Sequence, residues 1–323
     1  MPPPRHLDPR LLRAFLTVAE ELHFTRAAAR LYVAQQALSR DVRRLERELG
    51  AELFVRTTRQ VTLTPDGERL LPHARRLLQA QDDLLAAFGQ ARPLLVDLNS
   101  PGLATGRRVL ELARELAPAQ ELMARYESGL TGAAAEILAG RLDVSFGRLA
   151  GLDPALRAGL GHQPVRYEPM ALVLPEDHRL ASREEVPLAE LAGETVYAGA
   201  GNPRTPEWTD LARRLFEGRG IEVAPPAPLA VGDEEFQRLM AKTRHPVLAV
   251  VDFPALARTV VRPLVDPVPL SPVSLVWRKG LVHPALDALR RAAGRLAAEE
   301  GWLKRPTGGW IPAIDARVMS GHT

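Results

Sequence analysis

Residues 24–40, FTRAAARLYVAQQALSR, and the ten that follow, DVRRLERELG, decide how the N-terminal part of this chain folds. The pattern predicts a short alanine-rich helix, a turn, and a longer helix over 34–49 that Gly50 ends. The apolar residues of the longer helix fall on one narrow stripe: Leu38, Val42, Leu45 and Leu49. Amide and guanidinium side chains lie on the opposite face: Gln36, Arg40, Arg43 and Arg47.

That polar face carries the groups that read DNA. Guanidinium groups bind guanine edges in the major groove, and carboxamides bind adenine edges. The residues of the first turns are expected to face bases: Gln35, Gln36, Ser39 and Arg40. Arg43 and Arg47 are expected to meet phosphates. The alternative is a solvated basic face, because acidic residues flank it. The three alanines at 27–29 favour DNA binding, because small side chains let the two helices pack closely.

The residues before the quoted segment predict a further helix. Asp8 and Pro9 are typical of a helix start, as cap and first-turn residue. Thr25 is predicted to cap the second helix, over 26–31, and to lie at the DNA.

After the long helix, two short alternating strands are expected at 53–56 and 60–63. Arg56 and Arg59 flank the turn between these strands and give it a basic tip suited to minor-groove or phosphate contact. Helix, helix, turn, helix and hairpin is the order of a winged helix-turn-helix.

A long helix then begins at Thr64–Pro65 and reaches about Gly89, with an apolar seam of period 3.5. Three heptads of this kind predict a dimerisation helix. Its contact residues are expected to be Leu71, Leu78, Leu85 and Phe88. The alternative is a helix packed on its own domain, and Pro72 inside the helix should bend it.

From Leu94 onward, strands alternate with helices, which indicates α/β lobes with parallel strands. Strands are predicted at 94–98, 121–126, 143–146, 170–174, 195–198, 229–231, 247–251 and 273–277. Helices are predicted at 104–117, 131–140, 206–218, 233–242, 254–259 and 284–300. The expected domains are a DNA-binding domain at 7–64 with its helix-turn-helix at 24–43, a linker helix at 65–90, an effector-binding domain at 91–303 (lobe I 91–162 and 271–303, lobe II 165–268) and a mobile tail at 304–323.

Ligands of two-lobed α/β folds bind where strands end and helices begin. The residues expected there are Ser100, Gly102, Ser128, Thr131, Phe146, Arg148, Gly199, Asn202 and Asp233. Hydroxyl groups and helix starts favour an anion, so the effector is predicted to be a small organic acid. Arg148 offers a bidentate carboxylate site, with a structural salt bridge as the equal alternative.

The N-terminal residues resemble the LysR-type transcriptional regulators. The resemblance is carried by 24–40 and by the spacings of Leu45-Glu46, Leu49-Gly50, Leu53-Phe54, Arg56 and 63–67 (LTPDG), and more loosely by GRLD at 140–143. It implies a homodimer, commonly a dimer of dimers, with an effector domain shaped like a periplasmic binding protein. Carried over to this chain, it implies DNA contacts from Gln35, Gln36, Ser39, Arg40 and Arg56.

Two positions depart from the family pattern. Gln36 stands where proline is most frequent, and Leu130 stands where related regulators carry a threonine. Ser100 matches the hydroxyl that contacts the effector in the family. The segments 126–129 and 140–149 are most similar to regulators of aromatic-acid degradation.

Composition excludes several other classes. The net charge is +3, and residues 1–65 hold eleven arginines against seven acidic residues, which favours a polyanion partner for this part. No apolar run approaches about 18 residues, no export signal is visible and cysteine is absent, so we expect a cytoplasmic protein with no membrane partner.

No catalytic, metal-binding or cofactor-binding motif stands out, so we expect neither an enzyme nor a bound cofactor or metal. The partners expected are double-stranded DNA, a small effector, a second copy and RNA polymerase. A ligand-independent or architectural DNA-binding protein of the same fold stays open.

Overall fold

The computed structural model describes residues 7–31, 33–56, 61–87, 92–100, 103–126, 129–227, 233–254 and 256–321. The chain divides into two compact units, Met1–Ala91 and Arg92–Thr323, which we call the N-terminal and the C-terminal unit.

The N-terminal unit is helical with one small hairpin. Its elements are α1 (Pro9–Glu21), α2 (Phe24–Arg30), α3 (Gln35–Leu49), β1 (Phe54–Arg56), β2 (Val61–Leu63) and α4 (Pro65–Ala87). The two strands pair antiparallel, with Phe54 opposite Leu63. The predicted order of elements is therefore present.

The stripe on α3 is the centre of the first core. Leu38, Val42 and Leu45 are almost fully buried against Phe15 of α1 and Phe54 of β1. Leu49, predicted on the same stripe, is 37% exposed, because the helix ends there and its last turn passes beyond the core.

α2 begins two residues earlier than predicted, and its cap is different. His23 Nδ1 accepts hydrogen bonds from the backbone N–H of Thr25 at 3.2 Å and of Arg26 at 3.4 Å. His23 is therefore the N-cap, and the prediction of Thr25 in that role was wrong. Thr25 Oγ1 instead donates to Gln35 Oε1 at 3.2 Å, which ties the start of α2 to the start of α3.

α4 packs on its own unit through much of the predicted dimer seam. Leu78 is buried in the core around Phe15, and Leu71 packs against that core. Leu78 is therefore not free for a second copy, and the seam prediction is corrected there. Leu71 is only partly buried, and its contact with a second copy stays a prediction. The large apolar side chains that α4 exposes are Leu77 (42%) and Leu84 (59%). The side chain of Leu85, and Phe88 altogether, lie outside what the structure describes.

The C-terminal unit is α/β. Its larger elements are β3 (Leu94–Asp97), α5 (Ala104–Leu116), β4 (Leu122–Arg125), α6 (Leu130–Leu138), β5 (Val144–Gly147), α7 (Pro154–Ala158), β6 (Leu160–Pro175), β7 (Val186–Pro187), β8 (Thr195–Val196), α8 (Pro206–Phe216), β9 (Glu222–Val223), α9 (Asp233–Thr243), β10 (Val247–Val250), β11 (Thr259–Val265), β12 (Val268–Arg278), α10 (Pro284–Glu299), β13 (Gly309–Trp310) and α11 (Ala313–Met319).

Two long antiparallel strands join two cores. The main sheet has the order β4-β3-β5-β12-β6-β11-β7, with β3 parallel to β4 and β5. β12 pairs with β6 from Leu270 opposite Pro169 to Arg278 opposite Leu160. One core gathers around β3, β5, α5 and α10, and the other around the second half of β6, α8 and β11.

The proline-rich stretches are strands, which corrects the sequence prediction. β6 starts ten residues before the strand predicted at 170–174. The described residues of 254–259 form no helix, and β11 begins at Thr259. The prolines fit these strands because the φ of proline suits an extended chain at positions that need no donor. The strand predicted at 229–231 falls outside the described residues.

The segment after residue 303, predicted to be mobile, folds back onto the unit. β13 pairs with β12, and α11 buries Val318 and Met319. Asp315 of α11 is 1% exposed and holds the guanidinium of Arg148, itself 3% exposed: Nε reaches Oδ1 and Nη2 reaches Oδ2, each at 2.9 Å. The acid lies 167 residues from the arginine, so local pattern gave no sign of the pair.

We expect Asp315→Ala to destabilise the C-terminal unit, because it leaves a buried guanidinium with less compensation. The loss should be about 2–4 kcal/mol, since Asp210 remains beside Arg148. Urea unfolding of the full chain measures it. Arg317→Ala, an exposed position of the same helix, is the control. Equal unfolding free energies for the two variants would show that the pair does not stabilise the fold.

Candidate DNA interface and ligand cavity

The outer face of α3 is open to solvent. The side chains of Gln35, Gln36, Arg40, Arg43 and Arg47 are all exposed, and Ser39 is half-buried at the edge of the face. The Thr25–Gln35 hydrogen bond places the start of α2 beside the first turn of α3. The structure therefore brings together on one surface most of the residues predicted to bind DNA.

The three arginines of this face lack partners among the described residues. Within the described part of the N-terminal unit, no ion pair or side-chain hydrogen bond engages the guanidinium groups of Arg40, Arg43 and Arg47. The neighbouring acids are used elsewhere: Glu48 pairs with Arg44 at 2.8 Å, and Glu46 Oε1 accepts the backbone N–H of Leu53 at 3.0 Å. Glu46 and Glu48, two of the flanking acids that favoured a solvated face, therefore have partners away from these arginines.

The predicted wing is only partly described. The backbone of Arg56 belongs to β1, but its side chain and residues 57–60, Arg59 among them, lie outside what the structure describes. Their contact with DNA stays a prediction from the sequence.

The C-terminal unit contains a cavity of about 340 Å³ bounded by both of its cores. Loops after β3 and β5, the starts of α6 and α8, and the strands β6, β10 and β12 form its wall. Its lining includes the apolar residues Leu98, Leu103, Leu130, Phe146, Trp208, Leu248, Ala249, Val250, Phe253 and Val273. Polar lining residues are Asn99, Ser100, Thr105, Glu168, Asn202, Thr205, Glu207 and Ser271, and Arg148 also reaches the wall.

The predicted effector residues are only partly brought together. Ser100, Phe146, Arg148 and Asn202 line the cavity. Thr131 and Gly199 are not among the lining residues. Gly102 and Ser128 lie outside the described residues, and of Asp233 the structure describes only the backbone, as the first residue of α9.

Arg148 does not offer a free bidentate fork to a ligand. Besides its pair with Asp315, its Nη1 donates to Asp210 Oδ2 at 2.8 Å and to the carbonyl of Glu207 at 2.7 Å. The structural salt bridge, one of the two readings of the sequence, is what the structure contains. Arg148 as an effector ligand is therefore corrected: its positive charge is balanced inside the protein.

Two buried carboxyl groups on the cavity wall were missed by the sequence prediction. Glu207, near the start of α8, accepts the backbone N–H of Leu130 at 2.9 Å and the hydroxyl of Thr131 at 2.6 Å. Glu168 on β6 accepts the hydroxyl of Thr105 at 2.5 Å. Burial raises the pKa of both glutamates. Each is an ordinary glutamate in the sequence, so only the fold reveals its position.

None of the described helices is long and apolar enough to cross a membrane. The His, Asp and Glu side chains that the structure describes do not gather into a group of three able to hold a metal ion.

Comparison with known proteins identifies both units. Residues 9–68 match the model of the bacterial regulatory helix-turn-helix protein of the lysR family, and residues 107–298 match the LysR substrate binding domain. The chain belongs to the LysR family. The predicted family, fold class and function class, a DNA-binding transcription regulator with a small-molecule domain, are thereby confirmed.

Individual relatives agree with this assignment. The HTH-type transcriptional regulator CatR of Pseudomonas putida is 34% identical over 87% of this chain and 96% of its own length. The regulator YnfL of Escherichia coli K12 is 37% identical, but the match spans 58% of this chain and 64% of that protein. A full-length OxyR variant from Pseudomonas aeruginosa has a TM-score of 0.64 at 23% identity, covering 90% of this chain and 95% of that one, and shows the shared fold.

At the cavity rim of this LysR-family chain, the backbone of Gly129, the N-cap of α6, lies close to the backbone of Arg204. Its φ is +131°, and a Cβ there would lie 2.3 Å from the carbonyl oxygen of Arg204. A side chain at this position would therefore force the α6 start and the loop before α8 apart.

We expect Gly129→Ala to lower the unfolding free energy by about 3 kcal/mol or more, from the clash and the backbone strain together. Gly140→Ala is the matched control: its φ is +75°, with nothing within 4 Å of the added Cβ, so it should cost only about 1–2 kcal/mol. Urea denaturation measures both. Equal losses of unfolding free energy in the two variants would mean that the backbone at the cavity rim moves apart without cost.

Proposed function

We propose that this LysR-family protein binds a specific DNA site by placing α3 in the major groove. The observation that carries the proposal is the exposed face of α3, where two glutamines lie beside three arginines that have no partner among the described residues. Groups of this kind read base edges when a helix enters the groove.

The position of each side chain along α3 suggests its task. Gln35 and Gln36 lie in the first turn, and Arg40 lies about one turn further on, where a recognition helix approaches bases most closely. Arg43 and Arg47 lie two and three turns in, and we assign them to phosphates. We assign Arg56 and Arg59 of the wing to the backbone or the minor groove, on the strength of the sequence alone.

A second copy of the chain is the partner proposed for α4. Leu77 and Leu84 are seven residues apart and exposed, and a repeat of seven places both on the same face of a helix. We propose that this face, rather than the predicted seam through Leu71 and Leu78, pairs with its copy. We further propose that two such dimers form a tetramer and that the protein contacts RNA polymerase. We propose that it acts on DNA in the cytoplasm.

We further propose that the cavity binds the effector, a small organic acid. A volume of about 340 Å³ with apolar walls and a few polar groups is within the range of small-molecule sites. Because the two cores share β6 and β12, a ligand between them would favour one arrangement of the two lobes over another and shift the population of DNA-binding states. A ligand-independent DNA-binding protein of the same fold is the second candidate. A DNA footprint that is unchanged by any ligand would favour it.

We expect the double variant Gln36→Ala, Arg40→Ala to lose sequence-specific binding. Each bidentate base contact is worth about 1–3 kcal/mol, so affinity for the specific site should fall by at least about tenfold while non-specific binding changes less. Gel shifts with a fragment selected from genomic DNA and with scrambled DNA measure the ratio.

Arg107→Ala is the control for that variant, since it removes one exposed positive charge from the C-terminal unit. Both proteins should keep the oligomeric state of the parent chain. Unchanged specificity in the double variant would mean that α3 meets DNA through another face.

We expect Arg43→Ala and Arg47→Ala to weaken binding to all sequences alike. Each lost phosphate contact should reduce the slope of log K against log salt by about 1. Fluorescence anisotropy across a salt series measures the slope, with Arg107→Ala again as the control. A slope equal to that of the parent chain would remove these arginines from the interface.

A further inference from the structure

The start of α6 is an anion site that the protein fills itself. The N–H groups of a helix start attract negative charge. Here Glu207, reaching across from α8, takes the N–H of Leu130 on Oε1 at 2.9 Å and the hydroxyl of Thr131 on Oε2 at 2.6 Å. Glu207 therefore already occupies the N–H of Leu130 and the hydroxyl of Thr131, the donors that the carboxylate of a ligand would otherwise use.

The second position suited to an anion is also filled. Among the lining residues that the structure describes, Arg148 carries the only positive charge, and Asp315 grips it with both carboxylate oxygens. Asp210 adds a further carboxylate to the same guanidinium. Asp315 of α11 and Asp210 of α8 thus neutralise the one cation among the described lining residues.

A third carboxyl group opens onto the cavity. Glu168 is buried, its Oε1 accepts the hydroxyl of Thr105, and its other oxygen takes no hydrogen bond from the described part of the chain. Arg166 lies beyond Thr105, where it donates to that hydroxyl at 3.1 Å and pairs with Asp252 at 2.9 Å. The guanidinium of Arg166 is therefore already engaged by Thr105 and Asp252.

The donors left for a ligand are uncharged. Asn202 and Ser271 both line the cavity, and neither the Nδ2 of Asn202 nor the hydroxyl of Ser271 has a hydrogen-bond partner in the part of the chain that the structure describes. Neutral donors can hold one carboxylate. A second negative charge would stand against apolar walls beside the carboxyl groups of Glu168 and Glu207, and the one cation among the described lining residues, Arg148, is already paired.

We propose that Glu207 and Asp315, by occupying the two anion positions, make this cavity select ligands with at most one carboxylate and reject dicarboxylates of the same shape. The proposal rests on the proposed function, in which the cavity binds an effector acid. It assigns Glu207 as the residue that determines specificity.

The test uses two acids of nearly equal shape, 3-nitrobenzoate and isophthalate, which differ by one negative charge. Isothermal titration calorimetry with the full chain should show 3-nitrobenzoate binding at least about 100-fold more tightly, from the burial of an uncompensated charge. Gel shifts on the same preparation establish separately that the protein binds its DNA.

Glu207→Ala should narrow the ratio of the two affinities by at least about tenfold, because the start of α6 then accepts the second carboxylate of isophthalate. Glu217→Ala, at the exposed end of α8, removes one negative charge outside the cavity and should leave the ratio unchanged. If Glu207→Ala does not fold, Glu207→Gln removes the charge while keeping the shape, and the ratio should move in the same direction.

Isophthalate binding as tightly as 3-nitrobenzoate to the parent chain would overturn the inference, and so would binding of neither acid by a chain that still binds its DNA. In both cases the proposed function as a DNA-binding regulator is unaffected. A ratio that Glu207→Ala and Glu217→Ala change equally would also overturn it. Absence of any specific DNA binding is a different result, and it refutes the proposed function.

Discussion

The antiparallel pair of β6 and β12 is the constraint on which the C-terminal unit depends. The two strands stay in register from Leu270 opposite Pro169 to Arg278 opposite Leu160, with one shift between Val273 and Ser274. Leu275 in this pair is buried in the first core, and Met170, at the other end of the shared strands, in the second. The cavity lies where the chain passes between these cores, so its walls are fixed by backbone that both cores hold.

Two buried charged groups, the Arg148–Asp315 pair and the carboxylate of Glu207, lie close to the cavity between the two cores. The guanidinium of Arg148 is buried together with the carboxylate of Asp315, so solvent cannot take the place of either partner. Such a pair adds little net stability compared with apolar residues of the same size, but the loss of one member is costly. The pair thereby helps to fix the position of α11, since departure of the helix would remove the carboxylate that takes two of the hydrogen bonds of the buried guanidinium. The carboxylate of Glu207 similarly joins α8 to the start of α6.

Sequence alone predicted the elements whose signals are local. The α3 stripe of Leu38, Val42 and Leu45 needs only helical periodicity, and most predicted helices end within about two residues of the observed ones. The family assignment followed from closely spaced residues of the same segment. The errors occur where distant residues decide. β6 and β11 are strands because of their partners across the sheet, and their prolines concealed them. The tail is ordered because Asp315 meets a residue 167 positions earlier.

The arginines show most clearly why the cavity was harder to predict than the DNA interface. Arg40 and Arg148 carry the same side chain, and in the sequence each follows a mixture of apolar and polar residues. Arg40 stays exposed because it lies opposite a buried stripe on its own helix, and that geometry can be calculated from spacing. Arg148 is neutralised because α11 and α8 bring Asp315 and Asp210 to it, and no local pattern contains that information. An arginine on a helix face can therefore be assigned a partner outside the protein from sequence, whereas an arginine in a loop between strands cannot. In this chain the distinction reverses the expected chemistry of the cavity, from a site that supplies positive charge to one that supplies carboxylates.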